Sequence, residues 1–312
     1  MSKVLVICGA TASGKTALSV ACAKAFNGEI ISADSLLVYK GLNIGTAKPT
    51  LDERAGVPHY MIDVVEPTES FSVSDYEEMA LPIVERLLKE GKTPIICGGT
   101  GFYINALLYK SQFGNVGANE ELRAEYERLA EEKGKEYVYS ILCEKDAESA
   151  KKLHYNDLKR VIRALEIFDV TGKAKSLQQD APIPRFDFAA VSIDYPRDKL
   201  YNRINLRVEQ MFEQGLLEEV QGLLNGGVTE EMQCMQGIGY KEIAEGLRIG
   251  ARNAEMMEII KNNTRKYAKR QQTFFKRMQN HTYLSPEHAT VEEVEKLLIY
   301  KKEKSYDGRR TD

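Results

Sequence analysis

Short apolar runs alternate with stretches of helical periodicity along the first third of the chain. The runs at residues 4–8, 28–34 and 95–97 predict buried strands, and the second, with Ile30 and Ile31, ends in a polar turn at Asp34. Between the second and third runs, apolar residues recur at intervals of three and four over residues 76–88 and predict a helix. A further apolar run, at residues 188–193, predicts another strand. Strands that alternate with helices indicate the α/β class, with a parallel sheet covered by helices on both faces.

The middle of the chain has a different pattern. No strand is predicted between about residues 115 and 185, where residues 119–133 and 156–170 have the pattern of charged amphipathic helices. We therefore interpret residues 115–185 as an all-helical insertion domain that interrupts the sheet. The core is then discontinuous and consists of residues 1–114 and 186–300, followed by a charged tail at residues 301–312.

Two further segments lie inside the predicted core. Residues 41–70 are rich in Gly, Pro and Thr and predict a long ordered loop, a type that usually has a function. Residues 197–280 are mostly helical, with breaks at Gly226-Gly227 and Gly237-Ile238-Gly239.

Composition narrows the class of protein further. The chain has 312 residues, of which 43% are hydrophobic and 29% charged, and no apolar run approaches the roughly 18 residues that a membrane helix needs. Its five cysteines are scattered and odd in number, so neither a disulfide framework nor a zinc site is expected, and a cytoplasmic location fits. A net charge of −3 argues against nonspecific polyanion binding by the chain as a whole. A monomer is the default expectation.

The first predicted strand leads directly into a complete G-x-x-x-x-G-K-[ST] phosphate loop (P-loop). Its two glycines let the backbone wrap a phosphate, and the next helix presents unpaired N–H groups to it. Lys15 is expected to reach the phosphate oxygens, and the Thr16 hydroxyl to hold a Mg²⁺ ion. The predicted fold is thus like that of P-loop nucleoside triphosphate hydrolases. The loop residues predicted to bind diphosphate are Gly9, Ala10, Thr11, Ala12, Ser13, Gly14, Lys15 and Thr16.

The acidic residues at the strand ends bear on the reaction class. Hydrolytic P-loop enzymes carry an apolar strand that ends in an Asp, but the strand at 95–97 ends in Gly-Gly-Thr, and Asp194 is a weak match. This favours small-molecule kinases and other transferases. Asp34 follows the second strand, where ligands of such sheets bind, and a carboxylate there can accept a proton from a nucleophile. A turn or helix-cap role for Asp34 is the structural alternative.

A basic segment spans Lys261–His281, with seven Lys or Arg residues and no Asp or Glu. At intervals of three or four, one face carries Lys261, Arg265, Lys269, Gln272 and Lys276, which suggests a surface for nucleic-acid phosphates. The opposite face, with Tyr267, Phe274 and Met278, is predicted to pack on the core. An ordinary solvated helix face remains the alternative.

An arginine pair forms a third feature. Arg160 and Arg163 are one helical turn apart and are able to clamp leaving-group oxygens or a nucleic-acid backbone. A local Arg–Glu pair on a surface helix explains the same residues equally well.

Taken together, the blocks of sequence resemble the tRNA dimethylallyltransferase family. The similarity follows the family's order from residue 3 to about residue 280, and the blocks beyond the phosphate loop are highly specific. Ala10 stands where many relatives have Pro, and Phe274 and Lys276 where many have Trp and Arg. The matching blocks are residues 9–16, 34–39, 43–49, 58–63, 98–100, 160–166, 237–241 and 269–276.

The resemblance implies transfer of a dimethylallyl group from dimethylallyl diphosphate to the N6 amine of an adenosine beside a tRNA anticodon, with Mg²⁺ as cofactor. It implies that Asp34 takes the amine proton, that Lys15, Thr16, Thr100 and Arg207 complete the diphosphate pocket, and that the adenosine is flipped out of the anticodon stack. The implied tRNA-binding residues are Asp34, Ser35, Leu36, Leu37, Thr100, Arg123, Lys159, Arg160, Val161, Ile162, Arg163, Gln236, Gly237, Ile238, Gly239, Tyr240, Lys241, Lys269, Arg270, Gln271, Gln272, Thr273, Phe274, Phe275 and Lys276.

Two other functions remain open from the sequence. An ATP-dependent small-molecule kinase of the same fold explains residues 1–110 but leaves the basic helix and the 41–63 loop without a purpose. A noncatalytic RNA-binding module explains the basic helix but not the phosphate loop.

Overall fold

The computed structural model describes residues 3–110, 119–177 and 183–304. By internal packing the chain forms two compact units. The first comprises Met1–Leu108 with Arg185–Asp312, and the second comprises Tyr109–Pro184. Residues 115–118 of the predicted insertion and residues 305–312 of the predicted tail lie outside the described residues, whereas residues 301–304 belong to the last helix rather than to a tail.

The first unit is built on a six-stranded sheet in which every neighbouring pair is parallel, in the order β3-β2-β4-β1-β5-β6. The parallel α/β sheet predicted from the apolar runs is therefore confirmed. All residues of β1 and β5 are buried, because helices cover both faces of a parallel sheet. The strands are β1 (Val4–Cys8), β2 (Gly28–Ala33), β3 (His59–Tyr60), β4 (Thr93–Gly98), β5 (Phe188–Ile193) and β6 (His281–Leu284).

Helices connect the strands of this unit and cover the sheet. In the core, Leu5 and Ile7 of β1 pack with Leu18 and Cys22 of the first helix. The helices of the first unit are α1 (Lys15–Ala25), α2 (Leu51–Arg54), α3 (Val73–Lys89), α4 (Gly101–Leu108), α9 (Arg197–Glu213), α10 (Leu216–Asn225), α11 (Tyr240–Ile249), α12 (Asn253–Phe275) and α13 (Val291–Lys304). Short 3₁₀ turns occur at Gln233–Gln236 and Pro286–His288.

One sequence expectation for this unit is wrong in detail, and one strand was not predicted. Residues 41–70 are not one loop, because they contain α2, with a Thr50–Glu53 capping box, and the short strand β3. The prediction that residues 197–280 are mostly helical is confirmed, and β6, which follows at His281–Leu284, was not predicted because this edge strand is only partly buried and lacks a continuous apolar run.

The second unit is helical in its described residues, apart from an isolated pairing of Tyr109 with Pro184. Its own small core includes Tyr126, Leu142 and Leu165. The predicted helices at 119–133 and 156–170 are present, and two more lie between them. The helices are α5 (Glu120–Lys133), α6 (Lys135–Lys145), α7 (Ala147–Ala150) and α8 (Leu158–Thr171), followed by a 3₁₀ turn at Lys175–Leu177.

Among the described residues, no helix is long and apolar enough to cross a membrane. All five cysteines are free thiols.

Candidate active site

Several functional segments meet at the carboxyl end of the sheet because parallel strands all end at the same edge. The phosphate loop follows β1, Asp34 follows β2, and Gly99-Thr100 follows β4. Gly9 and Gly14 of the loop have φ values of +124° and +87°, which side chains with a Cβ rarely adopt. A Cβ at Gly9 would also lie 2.9 Å from the Ser192 Oγ atom. The glycine pattern in the sequence therefore reflects real backbone requirements.

The phosphate loop is held by side chains from two distant helices. Arg203 of α9 donates from Nε to the Ala12 carbonyl at 2.8 Å. Gln271 of α12 accepts from the Thr11 amide at 2.8 Å and donates to the Gly99 carbonyl at 3.0 Å. These contacts fix the loop against the turn that follows β4. Neither role was predicted, because both depend on residues that are far apart in sequence.

The interior of the loop suits an anion. Lys15 donates from Nζ to the Ala10 carbonyl at 2.5 Å, and burial lowers the pKa of its ammonium group, with the nearby charge of Arg207 adding to that shift. The Ser13 hydroxyl is buried and has no hydrogen-bond partner among the described residues. A buried, unpaired hydroxyl is costly unless a ligand bonds to it, and a phosphate oxygen supplies that bond.

Two adjoining cavities open beside the loop. The larger, of about 700 Å³, is lined by Thr11–Thr16 and by polar or cationic residues that include Lys48, Arg203 and Arg207. The smaller, of about 360 Å³, has a mainly apolar wall that includes Ile204, Val208, Met211, Ile238 and Ile260. Residues that line both cavities are Thr11, Ala12, Asp34, Thr46, Arg207, Met211 and Tyr267.

Asp34 thus lies where the larger cavity, which is lined by cationic residues, meets the smaller cavity with its apolar wall. Its Oδ1 atom accepts from the Leu36 amide at 2.9 Å and from the Leu37 amide at 3.4 Å. No group of the described residues bonds to Oδ2, so this oxygen is available to a ligand. The turn role that the sequence left open is real, and it uses only one of the two carboxylate oxygens.

Tyr267 and Arg207 flank this carboxylate. Burial, together with the Asp34 charge, raises the pKa of Tyr267 to about 12, so its hydroxyl remains a neutral hydrogen-bond donor at neutral pH. Burial lowers the pKa of Arg207, and the Asp34 carboxylate opposes that shift. Tyr267 therefore lines the site, which corrects the expectation that it packs on the core.

Thr100 and Asp194 are placed differently. The Thr100 hydroxyl accepts from the Ser35 amide at 3.0 Å, and the Thr100 amide donates to the Ala33 carbonyl at 3.0 Å. Thr100 thereby holds the turn that carries Asp34. It is not among the residues that line the two cavities. Asp194 is exposed and does not belong to the lining residues of these cavities.

Magnesium fits the donor set at this site. The Thr16 hydroxyl, a hard oxygen donor, lines the larger cavity beside the phosphate loop. Mg²⁺ usually binds through one or two protein oxygens together with phosphate oxygens and water. The described residues contain no cluster of three or more His, Cys, Asp or Glu side chains that would form a protein-only metal site. An ion shared with a bound diphosphate therefore matches these residues better than a protein-only metal site does.

Glu219 of α10 holds one wall of both cavities, and sequence reasoning missed it. Its carboxylate accepts from the successive amides of Asn43 (2.9 Å), Ile44 (2.8 Å) and Gly45 (3.2 Å). It also accepts from the Tyr240 hydroxyl at 2.6 Å. Tyr240 packs so closely that a Cβ at Gly45 would lie 2.6 Å from its ring. In the sequence, Glu219 is one of many acids on an amphipathic helix, so no local signal distinguishes it.

We expect Glu219→Gln to raise the dissociation constant for inorganic diphosphate about fivefold, because an amide has one acceptor oxygen for four donors and each lost hydrogen bond costs roughly 1 kcal/mol. Amide hydrogen exchange at residues 43–45 should accelerate in parallel. The adjacent, exposed Glu218→Gln is the matched control. Equal exchange rates in the two variants would contradict the role assigned to Glu219.

The cations of the basic segment Lys261–His281 fall into two groups, those that pair with other side chains and those that are exposed. Lys261 is buried and forms ion pairs with Glu209 at 2.7 Å and Glu258 at 2.9 Å, and Arg265 donates to Asn205 at 2.6 Å. These two cations were expected on the phosphate-binding face, but they stabilise the packing of the helix instead. The exposed cations of the segment are Lys266, Lys269, Arg270, Lys276 and Arg277, and none forms an ion pair with a described acid. Arg270 also lines the smaller cavity.

Five residues predicted to bind tRNA have buried side chains. In the first unit these are Tyr240, Gln271 and Phe275, with exposures of 0%, 5% and 1%. Val161 and Ile162 lie in the core of the second unit. These five side chains pack in the interior of their units, and Gln271 also lines the larger cavity. Their predicted contacts with tRNA stay predictions.

The other residues of the predicted tRNA set in the first unit lie near the site or on the surface. Leu36 packs against Gly237, where a Cβ would lie 2.2 Å from its Cδ1 atom. Besides Asp34 and Arg270, six of them line the smaller cavity: Ser35, Leu36, Gln236, Gly237, Ile238 and Gly239. Leu37 lines the larger one. Lys241 and Thr273 are exposed, and Gln272 and Phe274 are half-buried.

In the second unit, the predicted arginines are paired. Glu166 is fully buried and accepts from the Asn119 amide at 2.7 Å, from the Arg123 Nε atom at 2.9 Å and from Arg163. Burial opposes the charge of Glu166, but these hydrogen bonds outweigh it and lower the pKa of the carboxyl group. Arg163 therefore forms the local Arg–Glu pair that the sequence left as the alternative. Arg160 is exposed and pairs with Asp157, and Lys159 is exposed.

Comparison with known proteins gives a consistent result. The family model described as IPP transferase matches residues 37–278. The tRNA dimethylallyltransferase of Acetivibrio thermocellus is 46% identical over 304 residues, which cover 96% of this chain and 97% of the relative. That of Bacillus cytotoxicus is 47% identical over 276 residues, which cover 88% and 87% of the two chains.

Solved structures agree with the sequence relatives. The full-length tRNA isopentenylpyrophosphate transferase from Bacillus halodurans matches with a TM-score of 0.72 and 38% identity, over 98% of this chain and 99% of that chain. A eukaryotic dimethylallyltransferase acting on tRNA matches with a TM-score of 0.80 and 29% identity, over 100% of this chain and 81% of that chain.

Proposed function

Because the chain belongs to the IPP transferase family, we propose that it transfers a dimethylallyl group from dimethylallyl diphosphate to the N6 amine of an adenosine beside the anticodon of tRNA, releasing diphosphate. The observation that carries the proposal is that a cavity suited to an anion and a cavity with an apolar wall meet at one carboxylate, Asp34. The prenyl-transferring relatives favour this reaction over the ATP-dependent kinase considered above.

The phosphate loop stabilises the leaving group. As the bond between the allylic carbon and the diphosphate oxygen breaks, negative charge grows on the diphosphate. The loop amides, the Lys15 ammonium and the Arg207 guanidinium are in place to stabilise that charge. Thr16 would hold Mg²⁺, which supplies additional positive charge at the same oxygens when bound. The apolar wall of the smaller cavity excludes water from the cationic carbon.

Asp34 acts on the nucleophile. The adenine N6 amine is a poor nucleophile because its lone pair is delocalised into the ring. Asp34 orients the amine and takes one of its protons on Oδ2 as the carbon–nitrogen bond forms, since Oδ1 already accepts two backbone amides. The base has to leave the anticodon stack to reach this carboxylate.

One assay tests the proposal. The protein is incubated with labelled dimethylallyl diphosphate or γ-labelled ATP, with and without unmodified tRNA. We expect label from the prenyl donor to appear in tRNA at an adenosine. Transfer of label from ATP to a small molecule would show that the protein is a kinase instead. Tight binding of tRNA without transfer of any label would show that it is a noncatalytic RNA-binding module.

The exposed cations of α12 and of the residues directly after it are proposed to contact tRNA phosphates. We expect the double variant Lys269→Gln/Lys276→Gln to weaken tRNA binding and to flatten its salt dependence, because each lost phosphate contact removes roughly 0.7–0.9 from the log–log slope. Arg270 is kept because it lines the smaller cavity. The KM for dimethylallyl diphosphate should stay nearly unchanged.

The matched control is Lys24→Gln/Lys89→Gln. These lysines are also exposed, but they lie in the last turns of α1 and α3, at the opposite edge of the sheet. The measurement is tRNA affinity across a salt series for wild type and both variants. If plots of log affinity against log salt concentration had the same slope for the α12 variant and for the control, the proposed phosphate contacts would be wrong and this helix face would only be solvated.

A further inference from the structure

A large aromatic side chain stands out on the surface of the first unit. Phe102, in the first turn of α4, is 67% exposed. Its ring centroid lies 5.6 Å from that of Phe274 at an interplanar angle of 66°. Phe274 in turn meets the buried Phe275 edge-on, at 5.5 Å and 79°. Phe102 and Phe274 form an aromatic ledge anchored to the core through Phe275.

The position of the ledge depends on a glycine. A Cβ at Gly101 would lie 2.2 Å from the Phe274 Cε1 atom, so any larger residue there would displace that ring. The absence of a side chain at this position lets α12 lie against the start of α4. Because packing fixes Phe274, its contact with Phe102 is not an accidental collapse of two surface side chains.

The electrostatic surroundings select the kind of ligand. None of the eight residues of α4, Gly101–Leu108, is charged. On the α12 side, Lys269, Lys276 and Arg277 are exposed, and none forms an ion pair with an acid of the described chain. An exposed aromatic ring beside uncompensated cations suits a polyanion that carries planar rings, which is the chemistry of single-stranded nucleic acid.

The ledge lies close to the reacting groups. Phe102 is two residues beyond Thr100, whose hydroxyl binds the Ser35 amide next to Asp34. An unpaired base resting on the ledge would therefore neighbour the base that occupies the cavity at Asp34. We propose that Phe102 is a stacking platform for an unpaired tRNA base adjacent to the target adenosine. This inference rests on the proposed function and adds a contact to it.

The test uses the full chain and a synthetic anticodon stem-loop that carries 2-aminopurine next to the target adenosine. We expect Phe102→Ala to weaken stem-loop binding about tenfold, within the range of one lost base–aromatic stack, and to abolish quenching of the 2-aminopurine fluorescence on binding. Phe102→Trp should retain both. The salt slope should not change in either variant, because stacking releases no counterions.

Ile249→Ala is the matched control, because Ile249 is equally exposed (66%) but offers no ring. Unchanged stem-loop affinity and quenching in Phe102→Ala would overturn the inference, even while wild type transfers the prenyl group. A change in oligomeric state, with RNA affinity intact, would overturn it too and assign the ledge to protein contact. If wild type neither bound nor modified tRNA, the proposed function itself would fail, and the inference with it.

Discussion

Asp34→Asn is expected to slow prenyl transfer by roughly 10²-fold or more, the usual scale for the loss of a positioned general base. Asn keeps an Oδ1 acceptor for the Leu36 and Leu37 amides, so the turn and the fold should persist. It replaces Oδ2 with an amide group that cannot take a proton. Single-turnover rates at saturating tRNA and prenyl donor measure the effect, and tRNA affinity should change little.

Asp194→Asn provides the control for this substitution. Asp194 also follows a strand of the sheet, but its side chain is exposed and is not among the residues that line the two cavities. Its removal should leave the rate near that of wild type. Near-normal turnover of Asp34→Asn would show that Asp34 does not take the proton and that its carboxylate only stabilises the turn through the Leu36 and Leu37 amides.

Lys15→Ala is expected to weaken inorganic diphosphate binding and to reduce kcat/KM by roughly 10²- to 10³-fold, because it removes a positive charge aimed at the leaving group. Calorimetric titration with diphosphate, together with steady-state kinetics, separates binding from catalysis. Lys15→Met retains the aliphatic stem and should show the same loss. Because Lys15→Met removes the charge but keeps most of the side-chain volume, an equal loss in both variants would attribute the effect to the charge and not to a collapse of the loop around Ala10.

Lys24→Ala is the control on the same helix, since Lys24 lies in the last turn of α1, away from the phosphate loop. Diphosphate affinity should be unchanged there. Fast ATP hydrolysis that is independent of tRNA and lost in Lys15→Ala would contradict the transferase proposal, because it would make the loop a nucleotide-hydrolysing site.

The fold was largely predictable because its main signals are local. β1 and β5 are buried on both faces, so β1 is wholly apolar and β5 is apolar except for Ser192. The phosphate loop is a contiguous motif whose glycines have positive φ. Asp34 was placed correctly at a strand end because strand polarity alone puts it at the ligand edge of a parallel sheet. β6 escaped prediction because an edge strand of four partly buried residues carries little apolar pattern.

The sequence by itself therefore determined the class of fold, the phosphate loop and the family. Only the tertiary structure decided which cations are available, since Lys261 is buried against Glu209 whereas Lys269 is exposed on the same helix. It also decided that Gln271 accepts a hydrogen bond from the Thr11 amide of the phosphate loop and at the same time lines the larger cavity. The physical reason is that burial and hydrogen bonding depend on segments far apart in the chain, and helical spacing does not specify which segment packs against a given face.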